Sequence, residues 1–409
     1  METEIPEINN NNQDWKPSVI VLGPGGVKGY LELGALLVFE KEDYFDSVNY
    51  WTGCSIGSAI ALLVVCGYTI EEIVDDFINF NILNEFIGIN IGNILDKAGL
   101  IKNETMEKLL TLRISQKFGF IPTLKQLYLS TNIILTTTVY NTDKTRTEYF
   151  NKDTEPDISC IEAAMISMAM PIIIESRIHN GSEYIDGAIG DPYPVLIHDN
   201  GQRDILGIYI DSESSSIKNI NIPNIIYKGF EAIQGSIKTR RDQNIEWASN
   251  KCKHVELKSN IQDSVGLTVD ENTRKLMVKQ GYESALLFLD KMKNPNRYNL
   301  LLGDDEEIST IEDLLDQHKI DEEMVKILKG TTKTNKTTKT NKTNKNSNDN
   351  TDTDNNNINM KTIEEHFNFN TSSYSNDEDE DNTSDDNEIL LVSLTPEIMD
   401  NMNNIRITK

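Results

Sequence analysis

Val48-Asn49-Tyr50-Trp51-Thr52-Gly53-Cys54-Ser55-Ile56-Gly57-Ser58 joins a strand-like run, Val48 to Thr52, to an apolar stretch that continues to Val65. Its centre reads G-x-S-x-G. Gly53 and Gly57 let the backbone turn sharply from strand into helix, which exposes the Ser55 hydroxyl above a helix N-terminus. A serine so placed is built to be acylated. The same pentapeptide also occurs as a plain tight turn, so its surroundings decide between the two.

Upstream, the β-branched run Ser18-Val19-Ile20-Val21-Leu22 ends in Gly23-Pro24-Gly25-Gly26-Val27-Lys28-Gly29, and an apolar-periodic stretch follows from Tyr30 to Phe39. This is strand, glycine loop, helix. Backbone amides at such a loop can hold an anion, aided by the helix dipole. The phosphate-binding loop pattern fails for want of Gly-Lys-Ser/Thr. The dinucleotide pattern fails because Lys28 stands where its last glycine belongs.

Downstream, Gly67 is placed to end the serine's helix, and Thr69-Ile70-Glu71-Glu72 opens another that runs to Phe80. Residues 81–130 are expected to cover the site irregularly or helically. Strands are expected over Asn132–Tyr140, Thr145–Phe150, Tyr184–Ile185 and Asp204–Ile210. Helices are expected over Asp157–Met170, Asn224–Trp247 and Asp270–Met292. Alternating strands and helices give an α/β fold with a mainly parallel central sheet flanked by helices. Asp186-Gly187-Ala188 lies at a strand end, although Asp-Gly is also an ordinary turn signal.

The 409 residues and 38% hydrophobic content divide unevenly. Residues 1–14 form an acidic, Asn-rich leader without the basic and apolar regions of a secretory signal. Residues 15–295 hold the catalytic domain and 296–330 an accessory helical extension. Residues 331–409 are a low-complexity, mostly disordered tail, too polar to bury a core. In that tail Lys333 to Lys345 alternates lysine with Thr and Asn, Asp377 to Asp386 is acidic, and Ile389 to Val392 is a small apolar island.

A formal net charge of -26 argues against nucleic-acid binding and against strong adsorption to anionic membranes. Cys54, Cys66, Cys160 and Cys252 show no paired spacing and read as free thiols of a reducing compartment. With no apolar run near the ~20 residues of a membrane span, an intracellular protein is expected, soluble or peripherally attached to membrane. The sequence leaves oligomeric state open.

The glycine loop, the serine elbow and the aspartate, in that order, resemble the patatin-like phospholipase family. Gly34, the stretch from Ala163-Ala164 to Met170-Pro171, Asp191-Pro192-Tyr193-Pro194 and Gln280-Gly281-Tyr282 to Ala285 are similar to the family as well, so the resemblance spans about residues 15–293. It implies a lipid acyl hydrolase of phospholipase A or lysophospholipase type, with Ser55 as nucleophile and Asp186 as proton acceptor. An oxyanion hole from Gly25, Gly26 and Val27 is implied, within a motif set of Lys28, Gly29, Gly53, Gly57, Gly187 and Ala188. Phospholipid or another acyl lipid would be the substrate, and the dyad requires no metal or cofactor.

Pro24 departs from the family, which usually has glycine there, and proline has no N–H to donate. A broad esterase or triacylglycerol lipase on the same dyad is the alternative, and a catalytically weak lipid-binding or scaffold protein is another. A Ser-His-Asp order through His198 or His254 stays formally open. Lys28 either holds negative charge or orients the loop. Cys54 reads as a small buried residue of the elbow, and Asp191 as a brace for the turn after Asp186.

Overall fold

The computed structural model describes residues 15–79, 99–101, 103–212, 224–259 and 269–294. The leader 1–14, the extension 296–330, the tail 331–409, Phe80 of the expected third helix and residues 81–98 of the expected cover lie outside them.

The first strand, β1 (Val19–Leu22), is buried along its whole length. Ile20 and Leu22 point into one apolar cluster while Val19 and Val21 point into another, the pattern of a central strand covered on both faces. Helix α1 (Gly29–Lys41) follows. Strand β2 (Tyr50–Cys54) pairs parallel with β1, and helix α2 (Ile56–Val65) leaves it. This strand runs two residues beyond the sequence expectation, through Gly53 and Cys54. Its partner β4 (Ile134–Asn141) stays in register as far as Cys54↔Thr138 and holds those residues extended.

Gly67 takes a left-handed φ of 82° just past α2. The capping box forms at helix α3 (Ile70–Asn79): the Glu72 N–H donates to Thr69 Oγ1 at 3.2 Å and the Thr69 N–H to Glu72 Oε2 at 3.0 Å. A short strand β3 (Gly99–Ile101) and helices α4 (Glu104–Phe118) and α5 (Leu124–Thr131) come next. Strand β5 (Arg146–Phe150) folds back antiparallel on β4.

Helix α6 (Cys160–Ser167) is capped by Ser159, whose side chain accepts from the Glu162 N–H. It stops at Ser167, three residues before the Met170 of the expectation, because the chain turns there toward the site. Strands β6 (Ile172–Ile174), β7 (Arg177–His179) and β8 (Ser182–Asp186) were not separated in the sequence beyond Tyr184-Ile185. Strand β9 (Ile205–Ser212), helix α7 (Asn224–Trp247), strand β10 (Cys252–Ser259) and helix α8 (Glu271–Lys293) complete the order. β10 was absent from the sequence reading.

The main sheet runs β10-β9-β1-β2-β4-β8-β7, with β5 also paired to β4. From β10 to β4 every pairing is parallel, and the pairings of β4 with β8, β8 with β7 and β4 with β5 are antiparallel. The larger core lies on the α1, α2 and α6 side, and the smaller one gathers Tyr193, Val195 and Ile245 against β1. Helices α1 and α8 cross at glycines: a Cβ on Gly34 would strike the Val278 carbonyl, and one on Gly281 would strike the Leu31 carbonyl. Two positions 247 residues apart therefore belong to one contact. Among the described residues no helix is long and apolar enough to cross a membrane.

Candidate active site

Ser55 caps the N-terminus of α2 with φ 57° and ψ -127°, a conformation a β-carbon disfavours. The surrounding glycines make it possible. A Cβ on Gly53 would strike the backbone of Gly57 and Ser58, and one on Gly57 would come within 2.7 Å of the Gly23 carbonyl and 2.8 Å of Leu22 Cβ. The elbow thus packs backbone on backbone against the start of the glycine loop. Ser55 keeps 7% of its surface exposed.

A hydroxyl network fixes the elbow from below. Ser167 Oγ donates to the Thr138 carbonyl at 2.7 Å and accepts the Ser55 N–H at 3.0 Å. Its single proton is then committed, so Ser58 Oγ, 2.8 Å away, donates to it. All three polar groups are buried, where an unmade hydrogen bond is costly. Ser167 was missed in the sequence. The signal was a lone hydroxyl in Ala163-Ala164-Met165-Ile166-Ser167-Met168-Ala169, where a buried polar group needs partners.

Asp186 ends β8, with Val139 opposite it on β4, one residue beyond Thr138. Its N–H donates to the Ala169 carbonyl at 2.9 Å, and its Oδ1 accepts the Ala188 N–H at 2.8 Å, closing the turn over Gly187–Ile189. A Cβ on Gly187 would strike the Thr138 carbonyl, so the turn lies directly on β4. The carboxyl is fully buried, and burial pushes its pKa up to about 7, against the lowering effect of Ser55 and the Ala188 amide. Ser55 thus lies near enough to Asp186 to favour its charged form. Even so, Oδ2 has no hydrogen bond of full geometry.

Across the mouth, the Gly23 N–H is bonded to the Ile208 carbonyl, and Pro24 has none. A short 3-10 turn over Gly26–Lys28 uses the Lys28 and Gly29 amides internally. The Gly25 amide precedes that turn and the Gly26 and Val27 amides open it, and none of the three receives a side-chain cap among the described residues. Gly25 and Val27 are half-buried and Gly26 is exposed with φ 54°. Lys28 is 2% exposed, so its ammonium faces the protein interior and not the mouth. One turn on, Glu32 is fully buried, and burial pushes its carboxyl pKa well above the usual range.

The described histidines are engaged elsewhere. His198 Nε2 lies 2.6 Å from Thr52 Oγ1, with burial pushing its pKa down to about 4. His254 Nδ1 lies 3.0 Å from the Tyr193 hydroxyl, and His179 Nε2 lies 3.2 Å from Glu155. None bonds to Ser55 or Asp186. Asp191 is the brace it was expected to be: its N–H donates to the Gly187 carbonyl at 3.0 Å, and it accepts from the Tyr149 hydroxyl at 2.7 Å and Asn244 Nδ2 at 2.6 Å. The four cysteines are free and buried, and burial, with Asp186 and Asp191 nearby, pushes the Cys54 thiol well up.

The chain is 28% identical over 184 residues to "Probable lipid hydrolase 463L" of Invertebrate iridescent virus 6, covering 44% of this chain and 62% of that protein. It is 28% identical over 194 residues to "Uncharacterized protein R571" of Acanthamoeba polyphaga mimivirus, covering 46% and 64%. It therefore spans less than two thirds of either viral relative. Among solved structures, VipD from Legionella pneumophila aligns at 16% identity with a TM-score of 0.41, over 68% of this chain and 67% of that one. The sequence model of patatin-like phospholipase matches residues 20–198, the segment that holds the glycine loop, the elbow and the Asp186 turn. That segment is a patatin-like phospholipase domain.

Proposed function

We propose that the protein hydrolyses fatty-acyl esters of lipids, phospholipids or lysophospholipids first among them, through Ser55 and Asp186. The observation that carries this reading is the serine of a strained elbow beside a fully buried carboxyl whose pKa is raised to about 7. An ordinary carboxylate is a weak base toward a hydroxyl, and burial narrows that gap.

In the first half-reaction Ser55 Oγ bonds to the ester carbonyl carbon while its proton passes to Asp186, and the carbonyl electrons move to oxygen. The resulting oxyanion is met by the amides of Gly25, Gly26 and Val27. On collapse the bond to the alcohol breaks, and the departing oxygen takes the proton from Asp186. Water then repeats the sequence on the acyl-enzyme, releasing fatty acid and restoring Ser55. Pro24 removes one amide from the loop and leaves three. The family match and the relative named as a probable lipid hydrolase support lipid esters as substrates.

A serine-directed fluorophosphonate tests the reading. It is expected to modify Ser55 stoichiometrically, with lysophospholipid slowing the labelling. Absence of adduct at Ser55 in folded protein would refute it.

A further inference from the structure

A cleft of about 540 Å³ opens between the β4–β5 hairpin and α7, within the ~300–1,000 Å³ range of small-molecule sites. Its floor is Ile189 and Gly190, the residues that leave the Asp186 turn. Ser236, Thr239, Arg240 and Gln243 line it from α7 at spacings of three and four, so they form one face of that helix. Thr145, Arg146 and Thr147 line it from the hairpin.

The cleft lies at the catalytic end of the sheet. Arg146 pairs with Asn141 on β4, only two residues beyond the Val139 that faces Asp186, which is ~7 Å along a strand.

Its charge runs against that of the chain. In a protein of net charge -26, the lining holds two arginines, several hydroxyls and no carboxylate. Arg146 is shared with Glu148, its Nε 2.8 Å and a terminal nitrogen 2.7 Å away, and Lys144 adds a second cation to that carboxylate at 3.4 Å. The Arg240 side chain makes no ion pair or hydrogen bond among the described residues, although its neighbour Arg241 is bound to Asp211 and Asp242. An arginine facing hydroxyls across a polar cleft fits the oxygens of a phosphate ester.

We propose that this cleft is a phosphate subsite, in which Arg240, assisted by Arg146 and the hydroxyls of Thr147, Thr239 and Ser236, holds the phosphate of a lipid head group while its acyl ester lies at Ser55. The assignment rests on the ester-hydrolase reading. It adds the residues that make the enzyme prefer phosphate-bearing substrates.

Two measurements on the full chain separate the claims. The first compares kcat/KM for lysophosphatidic acid with that for monoacylglycerol, which has the same acyl ester and no phosphate. In Arg240→Gln their ratio is expected to fall about 10-fold, as for one charge-assisted contact at an exposed site. Arg240→Glu should lower it further. An equal fall on both substrates, or no fall on either, overturns the subsite.

The second titrates glycerol 3-phosphate and inorganic phosphate into Ser55→Ala protein by calorimetry. Binding weakened by Arg240→Gln supports the subsite even if no ester is cleaved, in which case the hydrolase reading alone fails. Glycerol 3-phosphate binding more tightly than inorganic phosphate identifies a head-group site. The reverse order identifies a free-phosphate site and overturns the head-group assignment, as does no binding of either.

Discussion

The serine elbow and the glycine loop meet at the C-terminal ends of two central strands, yet they are held by different means. The backbone around Ser55 is held by other backbone and by a committed hydroxyl: Gly53 against Gly57, Gly57 against Gly23, and the Ser55 N–H on Ser167 Oγ. Around Gly25–Val27 the amides lack side-chain caps, Gly26 is exposed, and the atom nearest a Cβ on Gly25 is the end of the Ile210 side chain. The serine is held by packed backbone and a buried hydroxyl, whereas the loop amides have no such restraint among the described residues. Strain in the first region is sustained by packing, and unmet hydrogen-bonding capacity in the second is what an oxyanion would use.

The largest test removes the chemistry and leaves both regions intact. Ser55→Ala is expected to lower kcat for ester hydrolysis by about 10⁶-fold, and Asp186→Asn by about 10⁴-fold, with the fold retained by circular dichroism. Residual turnover within 10-fold of the parent protein in Asp186→Asn would mean that another group takes the proton.

The same substitution made in each region then probes the contrast directly. Gly53→Ala places a methyl on rigid backbone and is expected to destabilise the protein by about 3 kcal/mol or more in denaturant unfolding. Gly25→Ala meets only a movable side-chain end, so stability should change little while kcat falls about 10²-fold and KM stays nearly constant, because displaced amides act on the transition state. If Gly25→Ala instead unfolds the protein, the loop is as rigidly built as the elbow and the comparison fails.

A smaller effect is expected at Ser167. Ser167→Ala strands the Ser55 N–H and the Ser58 hydroxyl, costing about 1–3 kcal/mol of stability and about 10-fold in kcat. Ser167→Cys, which keeps an acceptor in place, should recover part of kcat. An alanine variant with lower stability but unchanged kcat would make Ser167 structural only.

What the sequence made legible follows the same division. The elbow, the loop and the Asp186 turn are local in sequence, and each could be read from glycine spacing beside a strand or helix. Which partners close the site could not be read, because Ser167 reaches Ser55 over 112 positions and β10 finds its place only by pairing with β9. Short strands such as β6 and β7 carry three residues each, too few for any periodicity to show. Gly34 and Gly281 were both noticed, but only the packed helices explain why both are glycine.

The sharpest probe of the buried carboxyl is pH. Asp186 must be ionised to accept the serine proton, and its pKa is raised to about 7. Hydrolysis is therefore expected to rise with pH, reach half its plateau near pH 7, and fall about 10-fold per unit well below it. Stability responds in the opposite sense. A carboxyl whose folded pKa lies above its unfolded value favours the folded state at low pH, and that advantage is lost as pH rises through the folded pKa. Asp186→Asn removes the ionisation, so the variant should melt above the parent protein at pH 8 and the gap should narrow toward pH 5. If activity is instead flat from pH 5 to 8, Asp186 titrates as an ordinary carboxylate. Burial would then not be what makes it a base.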